Sequence, residues 1–316
     1  MKNGSFPAFL TTLLVLILSF GLALPAQMTE LVTVHAGGPP PPFPGSVFLH
    51  KATLANVTGN TTLMNNPLIN DNPNAVLIVT QTWNPGGASS GVYNPTDVGV
   101  LYDAARGRWR IFNEDSTAMP LGAAFNVFVA AGDAAAGVHT SASTNTTYYW
   151  TNLNHPQANN NPNTLLFTTH LYGAPGHTGE THNHALGVLY SAQNRWAVFN
   201  QDVATMSLDR DFNYLIAPEH PHIYVHTATA ANTAGPASFL DHPALINNPY
   251  ALVLVTPNFN PGGVGGTYYN HPVGIWYDLP GRRWCVFSED IANIPLGSSY
   301  NIMIYASTTY FPLLRQ

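Results

Sequence analysis

Charge is the property this chain has least of. Only 8% of its 316 residues are Asp, Glu, Lys or Arg, against about a quarter in an ordinary soluble domain. The 10 basic and 16 acidic residues leave a formal charge of −6, and no basic stretch exists. A nucleic-acid footprint and electrostatic docking on an acidic membrane are thereby excluded. Cysteine is almost absent. Cys285 stands alone, so no intramolecular disulfide forms and stability has to come from a core. The alternation in Arg283-Trp284-Cys285-Val286-Phe287 reads Cys285 as a small buried hydrophobe in a strand, not a reactive thiol. No stretch holds an amphipathic helical period for three turns. No Gly-x-Ser-x-Gly elbow, phosphate loop or nucleotide fingerprint occurs.

What the chain has is 45% hydrophobic residues, 31 Asn, 30 Thr, 26 Gly and 26 Pro. It is rich enough in apolar material for a core and carries its polarity on uncharged groups. Its one long apolar run, Phe9 to Leu24, follows Lys2 and precedes Pro25-Ala26-Gln27, the order of a secretory signal peptide. The run is short for a membrane span of about 20 residues. Residues 1–26 are therefore expected to be a cleaved leader, with an uncleaved anchor as the alternative, and the mature protein to be secreted or held at the cell surface without a span. Residues 27–46, which include Gly37-Gly38-Pro39-Pro40-Pro41-Pro42, read as a spacer with polyproline II character.

The rest is one unit written three times. Arg108-Trp109, Arg195-Trp196 and Arg283-Trp284 recur at spacings of 87 and 88 residues, each opening an alternating segment that ends at Asp115, Asp202 or Asp290. Other landmarks keep the same order. They are His50, His139 and His226; Asn66-Pro67, His155-Pro156 and His242-Pro243; and Asn72-Pro73, Asn161-Pro162 and Asn248-Pro249. The units fall near 47–131, 137–217 and 223–307. Short β-prone runs bounded by Asn-Pro and Gly, such as Leu77-Ile78-Val79-Thr80, predict strands throughout. Five or six strands in about 85 residues exceed the four of a propeller blade. The expected fold is all-β, three tandem β-sandwich or barrel-like repeats in a row, with linkers at 131–137 and 218–222.

Trp83-Asn84-Pro85-Gly86-Gly87, Phe259-Asn260-Pro261-Gly262-Gly263, Tyr269-Asn270-His271-Pro272-Val273-Gly274 and the three Arg-Trp segments together resemble an uncharacterised tandem-repeat domain of secreted bacterial proteins, a domain of unknown function. The resemblance spans nearly all of 47–307. It implies an exported repeat protein and supplies no catalytic residue. The middle copy departs most, with Leu171-Tyr172-Gly173-Ala174-Pro175-Gly176 in place of the Trp-Asn-Pro-Gly-Gly run.

Two surfaces are candidates for function. Thirteen His are present, and His139, His155 and His184 in the second copy align with His226, His242 and His271 in the third. Three imidazoles per copy suit zinc or copper, although no spacing is a close-set ligand motif and Asn or His before Pro also serves as a turn former. The loops place Trp83, Asn84 and Tyr93, and again Phe259, Asn260 and Tyr269, around flexible Gly. Amides that bond hydroxyls beside rings that cover C–H faces are what sugar binding uses. Asp115, Asp202 and Asp290 read as turn caps rather than glycosidase acids, because neighbours along a strand point to opposite faces. The expected function is a non-enzymatic extracellular binding or structural module whose ligand is a polysaccharide or cell-envelope component. The alternative is a secreted zinc- or copper-binding protein; otherwise no cofactor and no nucleic acid is expected.

Overall fold

A computed structural model describes residues 45–132 and 134–305; the expected leader, and all of the spacer except Gly45 and Ser46, lie outside them. Each copy contributes seven strands. The first holds β1 (Gly45–Lys51), β2 (Val57–Thr58), β3 (Thr61–Leu63), β4 (Leu77–Thr82), β5 (Val98–Asp103), β6 (Arg108–Asn113) and β7 (Ala124–Ala130). The second holds β8 (Ala136–Thr140), β9 (Thr146–Thr147), β10 (Trp150–Asn152), β11 (Leu165–Leu171), β12 (Leu186–Tyr190), β13 (Trp196–Asn200) and β14 (Asp211–Ala217). The third holds β15 (Ile223–Thr227), β16 (Thr233–Ala234), β17 (Ala237–Phe239), β18 (Leu252–Asn258), β19 (Val273–Asp278), β20 (Arg283–Ser288) and β21 (Ser299–Tyr305). Among the described residues no helix is long and apolar enough to cross a membrane.

The repeated landmarks mark repeated contacts. The buried indoles of Trp109, Trp196 and Trp284 donate to the carbonyls of Asn72, Asn161 and Asn248 at 2.9, 2.9 and 2.8 Å. Each Arg-Trp strand is thus tied to the Asn-Pro turn that launches the fourth strand of its copy. Each copy also encloses apolar side chains of its own, such as Phe48, Met64, Leu77, Trp109 and Phe125 in the first, as a small sandwich does.

The all-β class and the three copies stand as expected, but the copies do not form separate bodies in a row. The first, seventh and fourth strands of one copy lie side by side, and the fifth, sixth, third and second strands of another copy continue the same sheet. The sheets run β1-β7-β4-β19-β20-β17-β16, β15-β21-β18-β12-β13-β10-β9 and β8-β14-β11-β5-β6-β3-β2. All three seams are parallel, pairing Gln81 with Gly274, His170 with Gly99 and Asn258 with Val188. The first copy therefore pairs with the third, the third with the second and the second with the first, closing a ring. The physical reason is the free edge of each fourth strand, whose backbone groups need partners. Alternation along that strand then serves two cores: Leu77 and Val79 face the first copy's interior, while Ile78 joins Phe167, Leu254, Phe128, Leu215 and Met303 in a central cluster shared by all three copies.

Three sets of equivalent polar side chains lock the ring. Asn126, Asn213 and Asn301 donate from Nδ2 to the carbonyls of Val253, Leu77 and Leu166 in a neighbouring copy, at 3.0, 3.1 and 2.9 Å. The hydroxyls of Thr80, Thr169 and Thr256 accept the N–H groups of Val255, Val79 and Thr168, at 2.9, 2.9 and 3.4 Å. Glu114, Gln201 and Glu289 accept the N–H groups of His182, Tyr269 and Asn94, at 2.8, 3.1 and 3.1 Å. This last set explains a repeated glycine. A Cβ on Gly99, Gly187 or Gly274 would lie 2.4, 2.7 or 2.4 Å from the head group of Glu114, Gln201 or Glu289. Burial pushes the Glu289 carboxyl up to about 8, against the lowering effect of the Asn94 N–H bond.

Asn126→Ala removes the donor that meets the buried Val253 carbonyl, so urea titration is expected to show a loss of about 1–3 kcal/mol. A fragment holding residues 137–217 alone lacks partners for the edges of β11 and β12; circular dichroism is expected to show no cooperative unfolding, and a cooperative transition would refute the shared-sheet account. Glu289→Gln places there the residue that the second copy already carries as Gln201. Because the native Glu289 pKa lies above its unfolded value, the folded state holds the proton more tightly and stability falls as pH rises from about 4.5 to 8. The melting-temperature advantage of the Gln variant is therefore expected to grow across that window and to level off above it.

Candidate functional site

Where the ends of β4, β11 and β18 come together with the segments leading into β5, β12 and β19, all three copies line a cavity of about 80 Å³. Gln81, His170 and Pro257 occupy equivalent places in its wall. His170 is buried, and its Nδ1 is bonded to the Glu114 carboxylate, while its Nε2 is enclosed without a partner. The His182 ring lies 5.5 Å from that of His170 and 5.1 Å from that of His184. Its Nε2 is bonded to Asn200 Oδ1 at 2.7 Å, and burial, followed by the neighbouring His170, pulls its pKa down to about 3.

Two further imidazoles line the same cavity in equivalent positions. His184 Nδ1 meets Asp202 and His271 Nδ1 meets Asp290, each at 2.7 Å. The first copy has Thr96 at this position, beside Asp115. An ionised carboxylate only accepts, so each neutral ring in such a pair carries its proton on Nδ1 and presents Nε2 as a lone pair. The three Asp also accept the backbone N–H two residues on, at Thr117, Ala204 and Ala292, which is the turn-capping geometry. Each is followed by a residue at positive φ: Ser116, Val203 or Ile291. For the two β-branched residues this is strained backbone. Asp97 completes the wall. Burial, and then the charges of Glu114, Asp115, Asp290 and Asp202, raise its pKa to about 7. The cavity is thus rich in acceptors and negative potential.

The His sets expected from sequence do not assemble. Of His139, His155 and His184, and of His226, His242 and His271, only His184 and His271 reach the cavity. His139 and His226 are buried in first strands, with Nε2 bonded to Thr151 and Ser238 at 2.7 Å; burial lowers both to about 4. His50 makes the same bond to Thr62 at 2.8 Å. His155 and His242 cap turns, their Nδ1 atoms accepting the N–H of Gln157 at 3.3 Å and of Ala244 at 3.1 Å, as Asn66 Oδ1 accepts that of Leu68 at 2.9 Å. Residues aligned within one copy serve three separate tasks, so each set is dispersed. Among the described residues no three His, Cys, Asp or Glu side chains are grouped as a direct metal shell. His170 was not expected from sequence; its signal was a His in the strand position where the other copies carry Gln81 and Pro257.

The loop residues divide in the same way. Asn84 Oδ1 accepts the Tyr277 N–H at 2.8 Å, and its Nδ2 donates to the Tyr277 carbonyl at 2.9 Å. Asn260 makes the same two bonds to Tyr190, at 2.7 and 2.9 Å. Both amides are buried and extend the parallel seams like one more strand residue, leaving none of this capacity facing solvent. Tyr269 is also buried, its hydroxyl donating to the Ala292 carbonyl at 2.8 Å. The counterpart of Tyr93 is its neighbour Tyr268; the two are 46% and 39% exposed. Tyr93 lies 5.5 Å from Trp83, and Tyr268 stacks 4.4 Å from Phe259. Gly91 and Gly266 close over one side of these pairs, because a Cβ would fall 1.9 Å from the Trp83 carbonyl oxygen or 2.2 Å from the Phe259 ring. The second copy has Tyr172 under Gly179 but Thr181 in place of the second ring.

Cys285 is buried within a strand and burial pushes its thiol pKa up, as suits a small hydrophobe. No curated protein matches the chain, and no solved structure does. A family model described as a domain of unknown function, DUF7452, matches residues 41–106, 99–216 and 187–304. The two longer matches each run from the fifth strand of one copy to the seventh of the next, so they straddle the copies as the sheets do. With three overlapping matches across 41–304, the chain belongs to the DUF7452 family.

Proposed function

We propose that this chain is an exported, non-enzymatic bacterial binding module that holds a polysaccharide or cell-envelope glycan on two half-buried aromatic pairs whose exposed rings are Tyr93 and Tyr268. The observation that carries the reading is the recurrence of one arrangement, Trp83 with Tyr93 and Phe259 with Tyr268, at equivalent loops of two copies. Further rings widen each patch. Trp276 meets Trp83 edge-on, and the Tyr149 and Tyr268 hydroxyls are bonded at 2.6 Å beside the exposed Tyr148. Aromatic faces cover the C–H surface of a sugar, and tyrosine hydroxyls supply polar contacts at its rim. Two weak patches on one rigid body gain avidity on a repeating polymer. The Lys2-led apolar segment supports export, and the absence of a nucleophile or phosphate-binding motif supports binding over catalysis.

The test is binding of protein from Gln27 onward to cell-wall and extracellular polysaccharides. Tyr268→Ala and Tyr93→Ala, both at exposed positions, are each expected to weaken saturable binding about tenfold, and together to abolish it, with melting temperature nearly unchanged. Full binding by the double variant would overturn the assignment of these pairs, and the absence of any polysaccharide ligand would overturn the glycan reading.

A further inference from the structure

At one turn the second copy departs from the other two against the preference of its own backbone. Between the second and third strands of each copy the chain enters the left-handed region, at Gly59 with φ 59°, at Tyr148 with φ 57° and at Gly235 with φ 57°. Equivalent bonds fix the correspondence: the carbonyls of Gly59, Tyr148 and Gly235 accept the N–H groups of Met119, Met206 and Ile294, at 3.0, 2.8 and 3.0 Å. Glycine enters this region freely, whereas a bulky side chain there is an outlier. Asp209 also stands where the other copies have Gly122 and Gly297, but Asp tolerates the conformation. Burial does not compensate at Tyr148, which is 64% exposed, with its ring 5.3 Å from that of Tyr149. Strain kept without a packing return points to function.

The next residue departs as well. The carbonyls of Asn60, Tyr149 and Pro236 accept the N–H groups of Asn113, Asn200 and Ser288, each at 3.0 Å, so Tyr149 stands where the other copies have an amide and a proline. Its hydroxyl is the one bonded to that of Tyr268, with ring centres 6.2 Å apart. The rings of Tyr148, Tyr149, Tyr268 and Phe259 thus follow one another from the second copy to the third. The patch at Trp83 and Tyr93 has no such extension, because Gly235 and Pro236 occupy these two places in the third copy.

We propose that Tyr148 and Tyr149 extend the Tyr268 patch into a second subsite, so that this patch takes two adjoining units of an uncharged polysaccharide. The proposal rests on the glycan reading above. Successive rings along one surface suit successive sugar units, with C–H faces on the aromatics and hydroxyls at the phenols. The uncharged class follows from the surroundings: burial, and then Tyr149, push the Tyr268 pKa up with no acid or base contributing, so nothing there would offset the desolvation of a sugar carboxylate. The other patch differs in this too, since the Arg283 guanidinium lies 3.9 Å over Phe239, a ring of the cluster that holds Trp83 and Trp276.

The repeats supply the test variant. Tyr148→Gly introduces the residue that the other two copies carry and keeps the backbone bond to Met206. In a Tyr93→Ala parent, which silences the first patch, calorimetric titration compares the monosaccharide, disaccharide and longer oligomers of β-linked glucose and of β-linked N-acetylglucosamine, with polygalacturonate as the acidic probe. The parent is expected to bind the oligomers more tightly than the monosaccharide. Tyr148→Gly is expected to lower oligomer affinity about tenfold, to leave monosaccharide affinity unchanged and to melt no lower than the parent; Tyr148→Phe, which keeps the ring, is expected to retain most of the affinity. Parent-like oligomer binding by Tyr148→Gly, while Tyr268→Ala still loses binding, overturns the second subsite and leaves the glycan reading standing. Tighter binding of polygalacturonate than of the neutral oligomers overturns the uncharged class. Absence of binding by every probe overturns this proposal, and the glycan reading falls with it only if the polysaccharide survey is negative as well.

Discussion

The free edge of the fourth strand organises this molecule. Within one copy β4 is paired on one side by β7, and its other edge finds a partner only in β19 of the third copy. The same holds for β11 with β5 and for β18 with β12. Leaving such an edge bare exposes a template for aggregation, and closing it between copies turns three small sandwiches into one ring. The outer ends are handled differently. One end of each sheet is a two-residue strand, β16, β9 or β2, and a very short edge offers little to pair with. Brevity does here what lysines do elsewhere, in a chain that has only two.

A ring of copies separates what must be equivalent from what is free to differ. The Asn at 126, 213 and 301 and the Thr at 80, 169 and 256 are identical in all three copies because each bridges to a neighbour's backbone. The cavity positions diverge: Gln81, His170 and Pro257 in one set, Thr96, His184 and His271 in another. The scaffold tolerates this because the backbone there is held by the rings and seams rather than by the side chains that vary. The copies also depart from one another in the second copy's loop, where Thr181 stands in place of the exposed ring that the first and third copies carry as Tyr93 and Tyr268.

Much of this was legible in the sequence. Period-two alternation and Asn-Pro or Gly punctuation are local signals, so the strands and the three copies could be read directly. Which copy pairs with which could not, because β pairing is non-local and the aligned strands β4, β11 and β18 offer alike edges to β5, β12 and β19. Asn84 and Asn260 illustrate a second limit. An amide in a Gly-rich loop has the same sequence appearance whether it meets a sugar or copies a strand's hydrogen bonds, and only the proximity of Tyr277 and Tyr190 decides. With Tyr268 and Tyr269 adjacent, one residue of register separates a surface ring from a buried one. The His sets failed for a related reason: alignment identifies equivalent places in different copies, whereas a ligand shell needs different places brought together.

The scarcity of charge follows from the same architecture. Joining copies through a shared interior requires polar groups there, to fix register and to satisfy the carbonyls and N–H groups at the seams. Amides and hydroxyls do this without the desolvation penalty that an ion carries into a core, which accounts for Asn and Thr supplying the bridges. Carboxylates enter the interior only under compensation. Glu114 is bonded to His170, and Glu289, with its pKa raised to about 8, keeps its proton at neutral pH. The remaining buried or half-buried acids of the axis, Asp97, Asp202 and Asp290, border the cavity or pair with rings that line it. A fold that avoids charge nearly everywhere thus gathers acids and imidazoles where its three copies converge.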